Sequence, residues 1–224
     1  MTNPLRPFVL PYECGNFIIP VKNITPFSPL FSRETRLLRL FVALDLPDAQ
    51  REALALLRGS MPGVQWIPAE NYHVTLRFIG EVTDRHMMEE IDLALSRLSW
   101  EPFALSFHGA DLREGMTADS LVIKLDRSPA LNALRSQIET ALRRAGCSIA
   151  KRRFHPFVAL GHTATSQRPE AARWVQTHNL FRTEPMPVEH VTLFESLRGY
   201  DQHVYIPRAE YAWNPDISLL FEDE

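Results

Sequence analysis

The chain has 224 residues, of which 45% are hydrophobic and 23% are charged. This balance is typical of a globular protein of one ordinary domain and excludes a disordered or fibrous chain. The net charge is −3, from 24 Lys and Arg against 27 Asp and Glu, so the overall field does not attract nucleic acid, and a polyanion must bind at a local patch. No apolar run reaches the roughly 18 residues of a membrane span.

The first part of the chain differs in composition from the rest. Six of the 17 prolines lie within the first 30 residues, and such a segment cannot form a regular helix or a central strand. We therefore predict an irregular N-terminal extension over residues 1–35 and a compact domain over residues 36–224. Cys14 and Cys147 are far apart, which predicts neither a disulfide framework nor a zinc site, and a cytoplasmic location is expected.

Strands and helices are predicted to alternate through the compact domain. The predicted strands cover residues 37–44, 64–67, 72–79, 103–112, 121–125, 154–161, 188–195 and 204–211. The predicted helices begin near Asp48, span residues 84–98, run from Ser128 to Gly146, and cover residues 169–177. Ser128-Pro129 is the clearest helix start, because serine caps a helix and proline fits its first turn.

The order of elements repeats once along the chain. Residues 41–45 (FVALD) precede the first helix and residues 122–126 (VIKLD) precede the third, an offset of 81; the strands HVTL (73–76) and FVAL (157–160) follow at an offset of 84. Two copies of a strand–helix–strand unit predict two lobes related by a pseudo-twofold axis. The predicted fold is α+β and bilobal, with antiparallel sheets lining a central cleft and helices outside.

One strand carries polar side chains that suit a phosphate. If side chains simply alternate, His73, Thr75 and Arg77 share one face, and Val74, Leu76 and Phe78 form the core face. Imidazole transfers protons near neutral pH, a hydroxyl donates to a phosphate oxygen, and guanidinium neutralises charge. A solvated strand face with incidental polar residues is the alternative, because short H-x-T matches are common by chance.

Three segments together resemble a known family. Residues 40–47 (LFVALDLP), 71–81 (NYHVTLRFIGE) and 153–156 (RFHP) are similar in order and spacing to the RNA 2′,3′-cyclic phosphodiesterases, also called bacterial 2′-5′ RNA ligases, of the two-histidine phosphoesterase superfamily. Residues 191–196 and the strand of Tyr205 resemble the last hairpin of that family. The resemblance covers about residues 36–213.

The resemblance implies a bilobal fold, no metal or other cofactor, and one H-x-T motif in each lobe. It implies hydrolysis of the 2′,3′-cyclic phosphate at RNA ends, or of cyclic nucleotides, to a 2′-phosphate. Carried over to this chain, His73 is the acid that protonates the 3′ oxygen, and Thr75 holds a phosphate oxygen. We expect no membrane association and, because there is no heptad pattern, a monomer.

The second motif departs from the family pattern H-P-H-x-T-L. Phe157 stands where the second catalytic histidine belongs, and Ala159 where its threonine belongs. Three histidines are candidate substitutes: His155 on the same predicted strand face as Phe157, His190 in a second H-V-T-L sequence, and His162 after Gly161, where the family often has a basic residue. The hypotheses are therefore an impaired cyclic phosphodiesterase and a catalytically silent module that binds RNA ends or nucleotides.

Substrate-binding candidates lie beside the two cleft strands. Residues 151–153 (KRR) form the one dense basic run of the sequence, and Arg153 and its neighbours could bind backbone phosphates. Tyr72, Trp66 and Phe157 are candidates for stacking on a base. A solvated turn and core aromatic residues are the respective alternatives.

Overall fold

The computed structural model describes residues 37–59, 61–150, 153–199 and 203–213. The predicted extension over residues 1–35 lies outside the described residues, as do Lys151 and Arg152 of the basic run. The helices are α1 (Asp48–Ala55), α2 (Arg85–Ser96), α3 (Pro129–Arg144) and α4 (Arg168–Thr177). The strands are β1 (Leu38–Asp45), β2 (Gln65–Trp66), β3 (His73–Val82), β4 (Phe103–Leu105), β5 (Phe107–Arg113), β6 (Ala118–Leu125), β7 (Phe157–Ala164), β8 (Met186–Val188), β9 (His190–Arg198) and β10 (His203–Ala212).

Two four-stranded sheets form the body. The first sheet has the order β10-β9-β1-β3, the second has the order β2-β7-β6-β5, and β4 and β8 form a small third sheet. All of the strand pairs are antiparallel. The predicted α+β fold with antiparallel sheets and a repeated strand–helix–strand unit is confirmed, since β1–α1–β3 and β6–α3–β7 occur in matching order.

Apolar stripes hold the helices against the sheets. In α3, Leu131, Leu134, Ile138 and Leu142 are buried, and the Ser128 hydroxyl accepts a hydrogen bond from the Leu131 N–H at 3.1 Å, which satisfies one open donor of the first turn. The α2 helix is capped in the same way by Asp84 and packs against α3. Within the described residues, no helix combines the length and the apolar character that crossing a membrane requires.

Strands β3 and β7 contain the same irregularity. Thr75 pairs with Ala43 and Arg77 with Val42, so Leu76 is an extra residue in β3. Ala159 pairs with Val122 and Gly161 with Leu121, so Leu160 is an extra residue in β7. Such a β-bulge reverses the alternation of side chains beyond it. The two bulges lie 84 positions apart, the same offset as the sequence repeat.

The bulge corrects the prediction of simple alternation in β3. Arg77 is 7% exposed and Phe78 is 63% exposed, so their expected orientations are exchanged. The buried Arg77 side chain borders the cleft but is held by other groups of the protein: it donates to Glu139 on α3 at 2.9 Å and to the carbonyl of Ala150. The prediction that Phe78 belongs to the core face is wrong for the same reason.

The two lobes are joined by backbone pairing as well as by this ion pair. Strand β2 lies just before β3 in the chain, yet Gln65 and Trp66 pair with His162 and Gly161 of β7 in the other sheet. The Ile67 N–H continues the pairing by donating to the Leu160 carbonyl at 2.8 Å. The segment that leads into His73 is thus fixed beside the far half of β7, which positions the two strands on either side of one cleft.

Candidate active site

A cleft of about 600 Å³ lies between the strand halves that carry the two bulges. Residues from both strands line it, including His73 and Thr75 of β3 and Phe157, Ala159 and His162 of β7. Four arginines also line it, namely Arg77, Arg113, Arg135 and Arg153, and no acidic side chain is among the described residues that do so. The cleft therefore favours an anion although the whole chain carries a net charge of −3.

The four arginines do not contribute equally to this field. Arg77 and Arg135 both donate to Glu139, so this carboxylate offsets much of their charge. Arg113 and Arg153 form no ion pair with a carboxylate of the described residues. These two side chains are the main cations available to a ligand. The roles of Arg77 and Arg153 in substrate binding stay predictions. The ion pair of Arg77 with Glu139 also links β3 to α3.

Hydrogen bonds fix the tautomer of His73. Its Nδ1 lies 2.8 Å from the Asn71 carbonyl oxygen, and because a carbonyl oxygen only accepts, Nδ1 carries the hydrogen. Nε2 lies 3.0 Å from the Thr75 hydroxyl oxygen, so in the neutral ring Nε2 accepts from that hydroxyl. The neutral His73 consequently presents a basic nitrogen beside a hydroxyl, as a proton acceptor in the cleft requires.

Aromatic packing partly removes this imidazole from water. The ring centroid of His73 lies 5.1 Å from that of Phe41 and 5.0 Å from that of Tyr205. Burial lowers the pKa of His73, against the smaller opposing effects of the Asn71 hydrogen bond and the Asp45 charge. The lowered pKa favours the neutral ring, whose Nε2 can accept a proton; the acid role that the family resemblance implies for His73 stays a prediction.

A pH titration of the His73 ring signals by NMR tests this environment. We expect a midpoint below the ordinary value near 6.5, since burial disfavours the charged ring. Asp45→Asn removes a charge that favours protonation, so it should lower the midpoint further. A midpoint at or above 6.5, or an upward shift in Asp45→Asn, would contradict the burial argument.

Strand β7, on the other side of the cleft, has no histidine–threonine pair at the positions that correspond to His73 and Thr75. Phe157 and Ala159 occupy the positions of β7 that His73 and Thr75 occupy in β3, as the bulge registers show. Neither a phenyl nor a methyl group can move a proton or bind a phosphate oxygen. The Arg113 guanidinium lies 5.0 Å from the Phe157 ring centroid, within the range of a cation–π contact.

A different histidine faces the cleft beyond the second bulge. His162 lies opposite Ser120 in the sheet, and its Nδ1 is 3.1 Å from the Ser120 hydroxyl oxygen. Partial desolvation and the nearby charge of His203 lower the pKa of His162. The polar and aromatic positions are thus inverted between the strands: His73, Thr75 and Phe78 in β3 correspond to Phe157, Ala159 and His162 in β7.

The structure brings only some of the other predicted residues to the cleft. His155 is exposed and lines the cleft just before β7. Tyr72 is 1% exposed, and its hydroxyl accepts from Arg58 at 2.8 Å, so the prediction that it stacks on a base is corrected: the ring belongs to the core. His190 is exposed at the start of β9, and none of residues 190–193 (HVTL) lines the cleft.

Sequence reasoning missed several groups that shape the site. Arg113 and Ser120 come from β5 and β6, and they reach the cleft because Arg113 pairs with Ser120 and Ser120 pairs with His162. Asn71 supplies the carbonyl that orients His73. His162 was already a candidate substitute in the sequence, and the repeat offset of 84 also relates it to Phe78.

Comparisons with known proteins identify the family of this chain. Residues 46–199 match the family model of the 2′-5′ RNA ligase superfamily. Proteins named RNA 2′,3′-cyclic phosphodiesterase are 39% identical over 75 residues in Archaeoglobus fulgidus and 26% identical over 176 residues in Geobacillus stearothermophilus. These matches cover 32% and 75% of this chain, and 42% and 56% of the two relatives. The chain therefore spans about half the length of these curated relatives.

The fold is also found in solved structures. The crystal structure of E. coli LigT complexed with 3′-AMP superimposes with a TM-score of 0.64 at 24% identity, covering 80% of this chain and 99% of that one. The family match extends over most of the compact domain and includes His73, Thr75, Phe157 and His162. The chain belongs to the 2′-5′ RNA ligase superfamily.

Proposed function

We propose that this chain hydrolyses the 2′,3′-cyclic phosphate of an RNA end, or of a cyclic nucleotide, to a 2′-phosphate without a metal ion. The observation that carries the proposal is the His73–Thr75 pair in a cleft whose described charged lining is cationic. A cyclic phosphodiester is an anion with a strained ring, so it matches both the charge and the proton acceptor of the cleft. The names of the relatives support the same substrate class.

His73 acts as the general base in this proposal. Its Nε2 takes a proton from water, the water oxygen forms a bond to phosphorus, and the bond from phosphorus to the 3′ oxygen breaks. The 3′ oxygen leaves as a hydroxyl once it receives a proton, and the phosphate remains on the 2′ oxygen. The Thr75 hydroxyl, released from Nε2 when that atom is protonated, donates to a phosphate oxygen.

A second candidate function is a silent binding module for phosphorylated RNA ends or nucleotides. Phe157 and Ala159 favour it, because they remove one acid–base group and one phosphate donor from the positions that match His73 and Thr75. Loss of one such group typically costs about 10²–10⁴-fold in rate. The cationic cleft and Arg113 would retain affinity for a phosphate.

The test is incubation of the full chain with 2′,3′-cyclic AMP in the presence of EDTA, with separation of 2′-AMP from 3′-AMP. We expect slow formation of 2′-AMP that is proportional to protein concentration and unchanged by EDTA. Binding of 2′-AMP without any turnover of the cyclic nucleotide would favour the silent module. Turnover that EDTA abolishes would overturn the metal-independent mechanism.

A further inference from the structure

The proposed reaction leaves one proton without a donor. The 3′ oxygen must be protonated as its bond to phosphorus breaks, and the position equivalent to His73 is Phe157. We propose that His162, oriented by Ser120, supplies this proton and so takes over the function of the missing second imidazole. This inference rests on the proposed function and adds a catalytic residue to it.

The bulge at Leu160 is what brings His162 to the cleft. Without the extra residue, a side chain three positions after Ala159 would point to the other face of the sheet. With it, Ser120 and His162 face each other across the β6–β7 pair and both line the cleft. The equivalent residue of β3, Phe78, is 63% exposed on the same cleft, as the matching bulge requires.

Several contacts place His162 at the His73 end of the cleft. The Ile67 N–H donates to the Leu160 carbonyl. Ile67 precedes His73 by six residues, and Leu160 precedes His162 by two residues. The Asn71 side chain, next to the carbonyl that holds His73, donates to the His203 carbonyl at 3.1 Å. The His203 ring stacks on Tyr205 with centroids 6.3 Å apart, and Tyr205 packs on His73. The charge of His203 acts on His162.

The orientation of the ring suits proton donation. In the protonated ring, Nδ1–H donates to the Ser120 oxygen, which leaves Nε2–H as the proton that the proposal assigns to the 3′ oxygen. That proton leaves with the 3′ hydroxyl, and the neutral ring regains a proton from solvent before the next turnover. A bound cyclic phosphate carries a negative charge, which favours the protonated form of His162 against the neighbouring cations.

Desolvation, and then the charge of His203 on β10, disfavour the protonated form of His162 and lower its pKa. Other titratable or charged side chains that line the same cleft include His73 on β3 and Arg113 on β5. The rate should therefore fall as the pH rises through the titration of His162 in the complex, and this alkaline limb is the specific mark of an acid at residue 162.

The test compares His162→Asn and His162→Arg with the wild type in the 2′,3′-cyclic AMP assay. Asparagine retains a donor but cannot titrate, so kcat should fall by about 10²-fold and the alkaline limb should disappear, with a small change in KM. Arginine retains the positive charge for binding but holds its proton at all working pH values, so kcat should stay low while KM is maintained. His190→Asn is the matched control, an exposed histidine outside the cleft.

Each other outcome overturns the inference in a recognisable way. A rise in KM alone in His162→Asn would make His162 a phosphate-binding group and not an acid. Wild-type kcat in His162→Arg would exclude proton donation. Both results leave the proposed function intact, whereas absence of turnover in the wild type removes the proposed function itself. Ser120→Ala is a second variant that retains the His162 imidazole, in case His162→Asn fails to fold. It should shift the alkaline limb of the pH profile and lower kcat less than His162→Asn does.

Discussion

Replacing His73 with alanine is expected to lower kcat for a 2′,3′-cyclic nucleotide by about 10²–10⁴-fold, the contribution of one positioned acid–base group. The reason is that Nε2 of His73 is the basic nitrogen beside Thr75 in the cleft. KM should change little, because the Arg113 and Arg153 cations remain. Steady-state rates of 2′-AMP formation, measured from about pH 5 to about pH 9, check this expectation.

The acid limb of the same pH profile carries further information. Protonation of His73 removes the base, so activity is lost as the pH falls through a pKa that burial has lowered. His190→Ala is the matched control, since His190 has the same following residues, V-T-L, but lies outside the cleft. An unchanged kcat in His73→Ala would contradict both the role of His73 as the general base and the assignment of this cleft as the active site.

Restoring the second motif should produce the opposite effect. In the wild-type background, the double substitution Phe157→His/Ala159→Thr is expected to raise kcat by about 10-fold or more. In the His162→Asn background, the same double substitution is expected to raise kcat by about 10²–10⁴-fold relative to His162→Asn alone. The gain is larger in the second case because His162 and the new imidazole supply the same proton, and groups that act as a unit are not additive.

The backbone of β7 already suits this substitution. The register of Phe157 and Ala159 around the Leu160 bulge matches that of His73 and Thr75 around Leu76. The carbonyl two residues before Phe157 belongs to His155, the counterpart of the Asn71 carbonyl that orients His73. An imidazole at residue 157 therefore has the same type of acceptor available for its Nδ1–H.

Phe157→Asn/Ala159→Thr is the matched control for the gain. It introduces polar groups of similar size into the same wall but no titratable ring, so kcat should not rise. An equal gain in this control would show that removal of the Phe157 phenyl group, and not the added imidazole, limits the wild-type rate. Absence of any gain in the imidazole variant would contradict the equivalence of the two strands.

The repeat in the sequence was sufficient to predict the bilobal fold and the strand that carries His73 and Thr75. Both predictions rest on patterns that can be read along the chain: apolar strands, a serine cap before Pro129, and a repeat spacing of 81 to 84 residues. The strand and cap patterns depend on burial and on capping, which neighbouring residues largely determine.

The orientation of Arg77 and His162 could not be read from the same patterns. Leu76 and Leu160 are apolar residues in apolar strands, and nothing in their local sequence shows that each is an extra residue relative to its partner strand. A β-bulge depends on the pairing of distant segments. Strict alternation therefore assigned Arg77 to the cleft face, where the exposed side chain is Phe78. Tyr72 was misplaced for a related reason, because its hydroxyl partner Arg58 lies in a separate segment.

The crossing of β2 into the opposite sheet restrains one end of the cleft. The hydrogen bonds from residues 65–67 to residues 160–162 would have to break before the two walls could separate there. Widening of the cleft at this end therefore carries a cost in backbone hydrogen bonds that a movement of side chains alone does not.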